Sequence, residues 1–117
     1  MLAHAAESPD GEVCGLLFGS VEEVAAVQPT RNVAANPATA FEIDPAALIA
    51  AHKAARAGGP LLLGCYHSHP NGVGVPSATD CAQAPAGDIW IIVAGGKLMA
   101  WWMIDAGPVA IGLELVE

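Results

Sequence analysis

"PLLLGCYHSHPNGVGVPSATD", residues 60–80, holds an apolar run, two histidines one residue apart, a loop rich in glycine and proline, and a serine three residues before an aspartate. The run at 60–66 reads as a short strand apolar on both faces, the kind that lies inside an α/β sheet. Strand side chains alternate between faces, so His67 and His69 project to one side at its end. Pro76-Ser77 opens a short helix over 77–84 and puts the Asp80 carboxylate one turn inside it. The intervening glycines let the chain turn back, so that two imidazoles and a carboxylate converge. Zinc accepts donors of both kinds, and three protein ligands leave a fourth position for water, the arrangement of a catalytic site. Two plainer readings stand beside this one. Ser77-x-x-Asp80 is also a helix start of capping-box type, though Glu or Gln is the usual partner, and an H-x-H pair can be polar residues at a strand end.

Working outward, "LAHAAE" at 2–7 carries helix formers and stops at Ser8-Pro9-Asp10-Gly11. Residues 12–20 and 22–32 read as consecutive antiparallel strands, with Pro29 marking the second as ending or lying at an edge. Residues 31–40 are a loop of small and polar residues. Asp44-Pro45 then supplies a helix cap and first-turn proline for the alanine-rich stretch 46–59, which ends at Gly58-Gly59. Three strands close the chain at 88–94, 97–104 and 108–116, the first two joined by a turn at Gly95-Gly96-Lys97. The expected fold class is α/β (α+β): a single domain over 1–117, with one mixed sheet flanked by helices.

The composition, 54% hydrophobic and 14% charged, supports a packed core in a chain of 117 residues. A formal charge of −8 with scattered Arg31, Lys53, Arg56 and Lys97 offers no positive surface for nucleic acid or anionic membrane. No basic stretch precedes an apolar run at the N-terminus, and the apolar tract 89–104 is short and broken by glycines, so a cytoplasmic protein without a membrane span is expected. Cys14, Cys65 and Cys81 form an odd set without paired metal spacing, which suits reduced thiols.

One residue far upstream completes the set. Glu12 lies just before the strand "VCGLLFG", and a carboxylate beside a zinc-activated water can serve as general base. The succession "EVCGLLFG", "YHSHP" and "PSATD" resembles the JAMM/MPN (JAB domain) metallopeptidases of minimal prokaryotic type, whose pattern is a glutamate, then H-x-H, seven residues, Ser, two residues, Asp. The resemblance also covers "FEIDPAAL" and the closing strands. It implies an MPN/cytidine-deaminase-like fold and a zinc peptidase. In that reading His67, His69 and Asp80 bind one Zn2+ per chain, while Glu12 activates water and Ser77 stabilises the oxyanion. The implied partner is a small ubiquitin-like or sulfur-carrier protein with a Gly-Gly tail. The short segments 71–76 and 81–88 leave little room for the insertions with which eukaryotic relatives grip ubiquitin, so ubiquitin itself is not the expected substrate. The family pattern has a strand before its first helix that is not seen here, so a sheet edge is expected to be missing or supplied by a partner.

The competing readings are a non-catalytic MPN-type scaffold, which would tolerate lost motif residues, and a DNA-repair-associated relative, against which Ser68 and the acidic charge argue. Cys65 and Cys81 flank the site as weaker candidate ligands, and Cys14 reads as a small buried hydrophobe. His4 and His52 sit on helices as surface or boundary residues. Trp101 and Trp102 must face opposite sides of a strand, so one of them is a candidate contact surface, with a homo-oligomer among the partners it would admit.

Overall fold

A computed structural model describes residues 1–20 and 23–112. The elements are α1 (Leu2–Ala6), β1 (Cys14–Ser20), β2 (Glu23–Thr30), α2 (Pro45–Arg56), β3 (Leu61–Ser68), α3 (Ala78–Gln83), β4 (Ile89–Ala94), β5 (Lys97–Ile104) and β6 (Gly107–Ile111). The strands form one mixed sheet in the order β2-β1-β3-β4-β5-β6. β3 and β4 run parallel, and the other neighbours are antiparallel. The expected α/β architecture is therefore present, and β2, which contains Pro29, lies at an edge as read from the sequence. The last strand was expected over 108–116; it is seen at Gly107–Ile111, and residues 113–116 lie outside the described residues. No helix among the described residues is long and apolar enough to cross a membrane.

Local chemistry accounts for the helix that follows the β2 loop. Asp44 Oδ1 accepts from the Ala46 N–H at 3.0 Å, Pro45 opens the first turn, and Lys53 and Arg56 sit in the last turn, where cations favour the helix dipole. In the sheet, alternation sorts side chains onto two faces. Leu17, Tyr66, Ile91, Val93 and Ala100 pack together on the face that α1 covers, with Met1 and Ala5 against them. On the other face Cys14, Cys65, Trp90 and Met103 pack with Phe41 from the β2–α2 loop. Burying each of the larger apolar side chains stabilises the fold by about 1.5–3 kcal/mol before entropy is counted. Tyr66 ties the first face to α1: its hydroxyl hydrogen-bonds His4 Nδ1 at 2.8 Å. His4 is thus an anchoring contact, which its isolated place in the sequence did not suggest.

Two features of β3 set up the site. Its register against β1 shifts between Leu17 and Phe18, so Leu63 is the extra residue of a bulge, and Gly64 follows with φ +155°. Beyond the bulge the alternation is regular, and Cys65 and His67 share the second face. The parallel pairing with β4 then forbids a tight turn. The chain must leave the sheet after Ser68, pass through α3 and return, so residues 69–77 cross the carboxyl end of the strands.

At Gly64 any Cβ would collide with the Ile89 carbonyl of the neighbouring strand, which is backbone and cannot rotate away. Gly64→Ala is expected to lower stability by more than about 2 kcal/mol, through a strained φ and a forced separation of β3 from β4. Urea titration against the parent chain checks it, and a loss below about 0.5 kcal/mol would show that the close approach carries no weight.

Candidate metal centre

His67 is the penultimate residue of β3, and His69 extends the strand by one step, with its N–H donating to the Val93 carbonyl at 2.9 Å. Both rings are buried, with centroids 4.8 Å apart. Asp80 enters from α3. Its Oδ2 lies 3.0 Å from Nε2 of His67 and 3.0 Å from Nε2 of His69, and the two Nε2 atoms are themselves 3.0 Å apart. The three residues that the sequence brought together as ligands therefore meet at a triangle of electron-rich atoms. A carboxylate oxygen of Glu12 and one nitrogen of each histidine lie within 4.8 Å of one another, so Glu12 borders the same point.

The tautomer of His69 follows from its partners. Nδ1 lies 2.7 Å from the Val73 carbonyl, which only accepts, so Nδ1 carries the hydrogen and the neutral ring presents an Nε2 lone pair. That lone pair faces a second imidazole nitrogen and a carboxylate oxygen. Such a cluster is stable only around positive charge, whether proton or cation. The ionisation behaviour agrees. For Asp80, burial raises the pKa, but the hydrogen bonds from His67 and His69, the His67 charge and the Ser77 N–H outweigh it and hold the carboxyl well below the usual carboxylate range. Burial lowers His69 too, yet its hydrogen bonds to Asp80 and Val73 and the charges of Asp80 and Glu12 raise it overall. His67 goes the other way. Burial dominates and lowers its pKa, in the direction of the neutral ring that ligates metals.

His67 Nδ1 is buried without a hydrogen-bond partner. The ring is fixed instead by packing: Phe41 stacks on it with centroids 4.1 Å apart and planes inclined 18°, and Trp90 meets it edge-on at 5.3 Å. Glu12 Oε1 is likewise buried and unpartnered, and burial, with Asp80 adding to it and His69 opposing, pushes the Glu12 pKa up to about 7. An orphaned carboxylate oxygen beside three converging donor atoms fits a cation. Zinc with ligands at 2.0–2.1 Å needs donor separations of roughly 3.3–3.4 Å in a tetrahedron, a few tenths of an ångström wider than the triangle as it stands.

The plainer reading of Ser77-x-x-Asp80 also holds. Ser77 Oγ accepts from the Asp80 N–H at 3.0 Å and Asp80 Oδ2 accepts from the Ser77 N–H at 2.9 Å, a complete capping box for α3. The same Oδ2 faces both histidines, so cap and cluster are one arrangement. Ser77 is exposed at the rim of a cavity of about 320 Å³ that Glu12, Thr39, His69 and Val73 also line. Cys65 is buried in the core and Cys81 is exposed on α3, and neither belongs to a metal-competent group among the described residues. Trp101 and Trp102 face opposite sides: Trp101 Nε1 donates to the Gly74 carbonyl at 2.9 Å, while Trp102 is 45% exposed. The packing of Phe41 on His67 escaped the sequence reading, because a ring contact between residues 26 positions apart leaves no motif spacing to mark it.

A mixed sheet with two histidines and a carboxylate at the carboxyl end of its parallel pair defines a JAB-type domain. Residues 1–104 match the family model for prokaryotic homologs of the JAB domain, and the chain belongs to that family. It is 42% identical over 90 residues to the desampylase of Haloferax volcanii, covering 72% of this chain and 65% of that protein's length. It is 36% identical over 109 residues to a probable TtuB-protein conjugate cleaving protease of Thermus thermophilus, covering 93% of this chain and 73% of the relative. Among solved structures, a solution structure from Desulfitobacterium hafniense superposes with a TM-score of 0.84 at 30% identity, covering 100% of this chain and 86% of the other. One from Salinibacter ruber gives 0.66 at 29%, covering 96% and 82%.

Ser77→Ala is expected to cost about 0.5–2 kcal/mol of stability with no substrate present, because it removes the α3 cap. A denaturant titration of the variant measures this. An unchanged midpoint would mean that the capping box contributes nothing, and that any loss of activity in the variant is purely chemical.

Proposed function

We propose that the protein is a zinc-dependent peptidase or isopeptidase that hydrolyses the bond following the C-terminal tail of a small ubiquitin-like or sulfur-carrier protein. The carrying observation is the triangle of His67 Nε2, His69 Nε2 and Asp80 Oδ2 with 3.0 Å edges, with a Glu12 carboxylate oxygen within 4.8 Å of the two histidines. The names of the Haloferax and Thermus relatives, a desampylase and a protease cleaving TtuB conjugates, support the substrate class.

His67, His69 and Asp80 would hold the ion. When bound, zinc supplies Lewis acidity, acidifying water and polarising a carbonyl. Glu12 is assigned to proton transfer and not to ligation, since Asp80 Oδ2 is in direct contact with both imidazoles and is itself fixed by the Ser77 N–H, whereas Glu12 Oε1 has no partner. The Glu12 carboxylate takes a proton from the attacking water as the new C–O bond forms. It returns that proton to the leaving amine as the C–N bond breaks, giving a carboxylate-ended modifier and a free amine. The Ser77 hydroxyl accepts the Asp80 N–H, which leaves its own hydrogen free to donate to the carbonyl oxygen as negative charge develops there. Asp80 is the anion that keeps both Nε2 atoms turned inward.

Purified protein is expected to carry about one zinc per chain. Asp80→Ala should weaken zinc binding by on the order of tenfold or more. Glu12→Gln should keep the zinc and lose hydrolysis by about a hundredfold or more. Elemental analysis and a conjugate-cleavage assay read the two halves separately. Zinc held in Asp80→Ala as tightly as in the parent, or cleavage by Glu12→Gln at the parental rate, would overturn the respective assignment.

Beside the cluster, the loop 71–76 is glycine-rich, with Val73 and Val75 about half exposed on the rim of the same cavity. A cavity of this size beside the cluster suits an extended tail with small residues next to the scissile bond. Three substrates test it: a small sulfur carrier extended past its terminal Gly-Gly, the same carrier with bulky residues in place of Gly-Gly, and a ubiquitin isopeptide dimer. The first should be cleaved at least tenfold faster than the others. Equal rates on the bulky variant would remove tail recognition from the proposal and leave the hydrolase in place.

A further inference from the structure

Glu12 lies two residues before β1 begins, so the sheet ladder does not hold it. Its two backbone groups are held instead by the loop between β2 and α2. Glu12 N–H donates to the Pro37 carbonyl at 2.7 Å, and its carbonyl accepts from the side chain of Asn32 at 2.9 Å. Asn32 uses the whole bonding capacity of its amide. Nδ2 donates also to the Ala40 carbonyl at 3.0 Å, and Oδ1 accepts from the N–H groups of Ala34 and Glu42, both at 3.0 Å. One planar group therefore gathers three points of the loop and the Glu12 main chain. The loop is closed across its base by the bridge between Asn32 and Ile43.

The buried Glu12 Oε1 has no hydrogen-bond partner, so no bond to that oxygen fixes the carboxylate. Its place depends on where the backbone puts it. We infer that Asn32 is a positioning residue that sets the Glu12 carboxylate beside the histidine pair, both by binding the Glu12 carbonyl and by shaping the loop that offers Pro37. This rests on the reading of Glu12 as the proton-transfer group. A displacement of about an ångström in such a group is enough to cost on the order of a hundredfold in rate.

Asn32→Ala removes all four bonds. Asn32→Asp is isosteric and retains an acceptor for Ala34 and Glu42 but loses both donors, so it removes the bonds to the Glu12 and Ala40 carbonyls and leaves the other two in place. In Asn32→Asp, kcat on a carrier-protein conjugate should fall about ten- to a hundredfold, with KM within about twofold and zinc content unchanged. In the Glu12→Gln background the same change should add almost no further loss, because a residue that acts through Glu12 has nothing left to place. Amide hydrogen exchange gives a readout free of activity. The Glu12 amide should exchange at least tenfold faster in Asn32→Asp while the amides of β3 and β4 keep their protection. In the parent, the Asn32 side-chain NH2 should exchange far more slowly than a free amide.

Additive losses in the double variant, an unaltered Glu12 amide, or an Asn32 NH2 in the parent that exchanges like a free amide would each overturn the inference. A parent chain that holds no zinc and cleaves no conjugate would instead refute the peptidase reading. The exchange rates of the Glu12 amide and the Asn32 side chain would still decide whether Asn32 fixes this segment.

Discussion

A parallel pair of neighbouring strands cannot be closed by a hairpin, and the β3–β4 pair imposes that constraint on the molecule. After Ser68 the chain has to rise over the carboxyl end of the sheet, form α3 and come back to start β4 at Ile89. Three members of the cluster, His67, His69 and Asp80, lie on that excursion or directly beneath it. His67 lies one residue before the end of β3, His69 lies one residue beyond it, and the returning helix carries Asp80 back to both. Gly64 allows β4 to approach closely enough for the pairing to form, so a backbone detail at the start of β3 is coupled to side-chain geometry at its end.

The excursion is kept short by using single atoms twice. Asp80 Oδ2 caps α3 and faces both imidazoles; the Val73 carbonyl orients His69; the Gly74 carbonyl next to it is tied to β5 by Trp101. A six-residue helix has little intrinsic stability, so its capping box and the packing around it matter more than its propensity. The same economy concentrates negative potential. Hydrogen bonds to the two imidazoles hold the Asp80 carboxyl below the usual carboxylate range, while burial pushes the nearby Glu12 carboxyl up to about 7. The fold thus gathers donor atoms that a bound cation would suit.

The loop between β2 and α2 supports the site from outside the motif. Phe41 stacks on His67, Pro37 receives the Glu12 N–H, and Asn32 binds the Glu12 carbonyl. An irregular segment can do this because its shape comes from one saturated amide and not from a repeating ladder.

Much of this was legible in the sequence, and for local reasons. Alternation put His67 and His69 on one face, Ser-x-x-Asp after proline started α3, Asp44-Pro45 opened α2, and Pro29 sent β2 to an edge, since each depends only on residues a few positions apart. The spacing from His69 to Asp80 likewise brought the third donor into reach, and the family pattern added Glu12. The order of strands in the sheet, the bulge at Leu63, the partnership of His4 with Tyr66, and the roles of Asn32 and Phe41 were decided by tertiary structure alone. Each joins groups far apart in the chain, through hydrogen bonds and ring contacts that leave no periodic trace in the residues between them. Asn32 looks like any loop asparagine until the fold brings the Glu12 carbonyl to its amide.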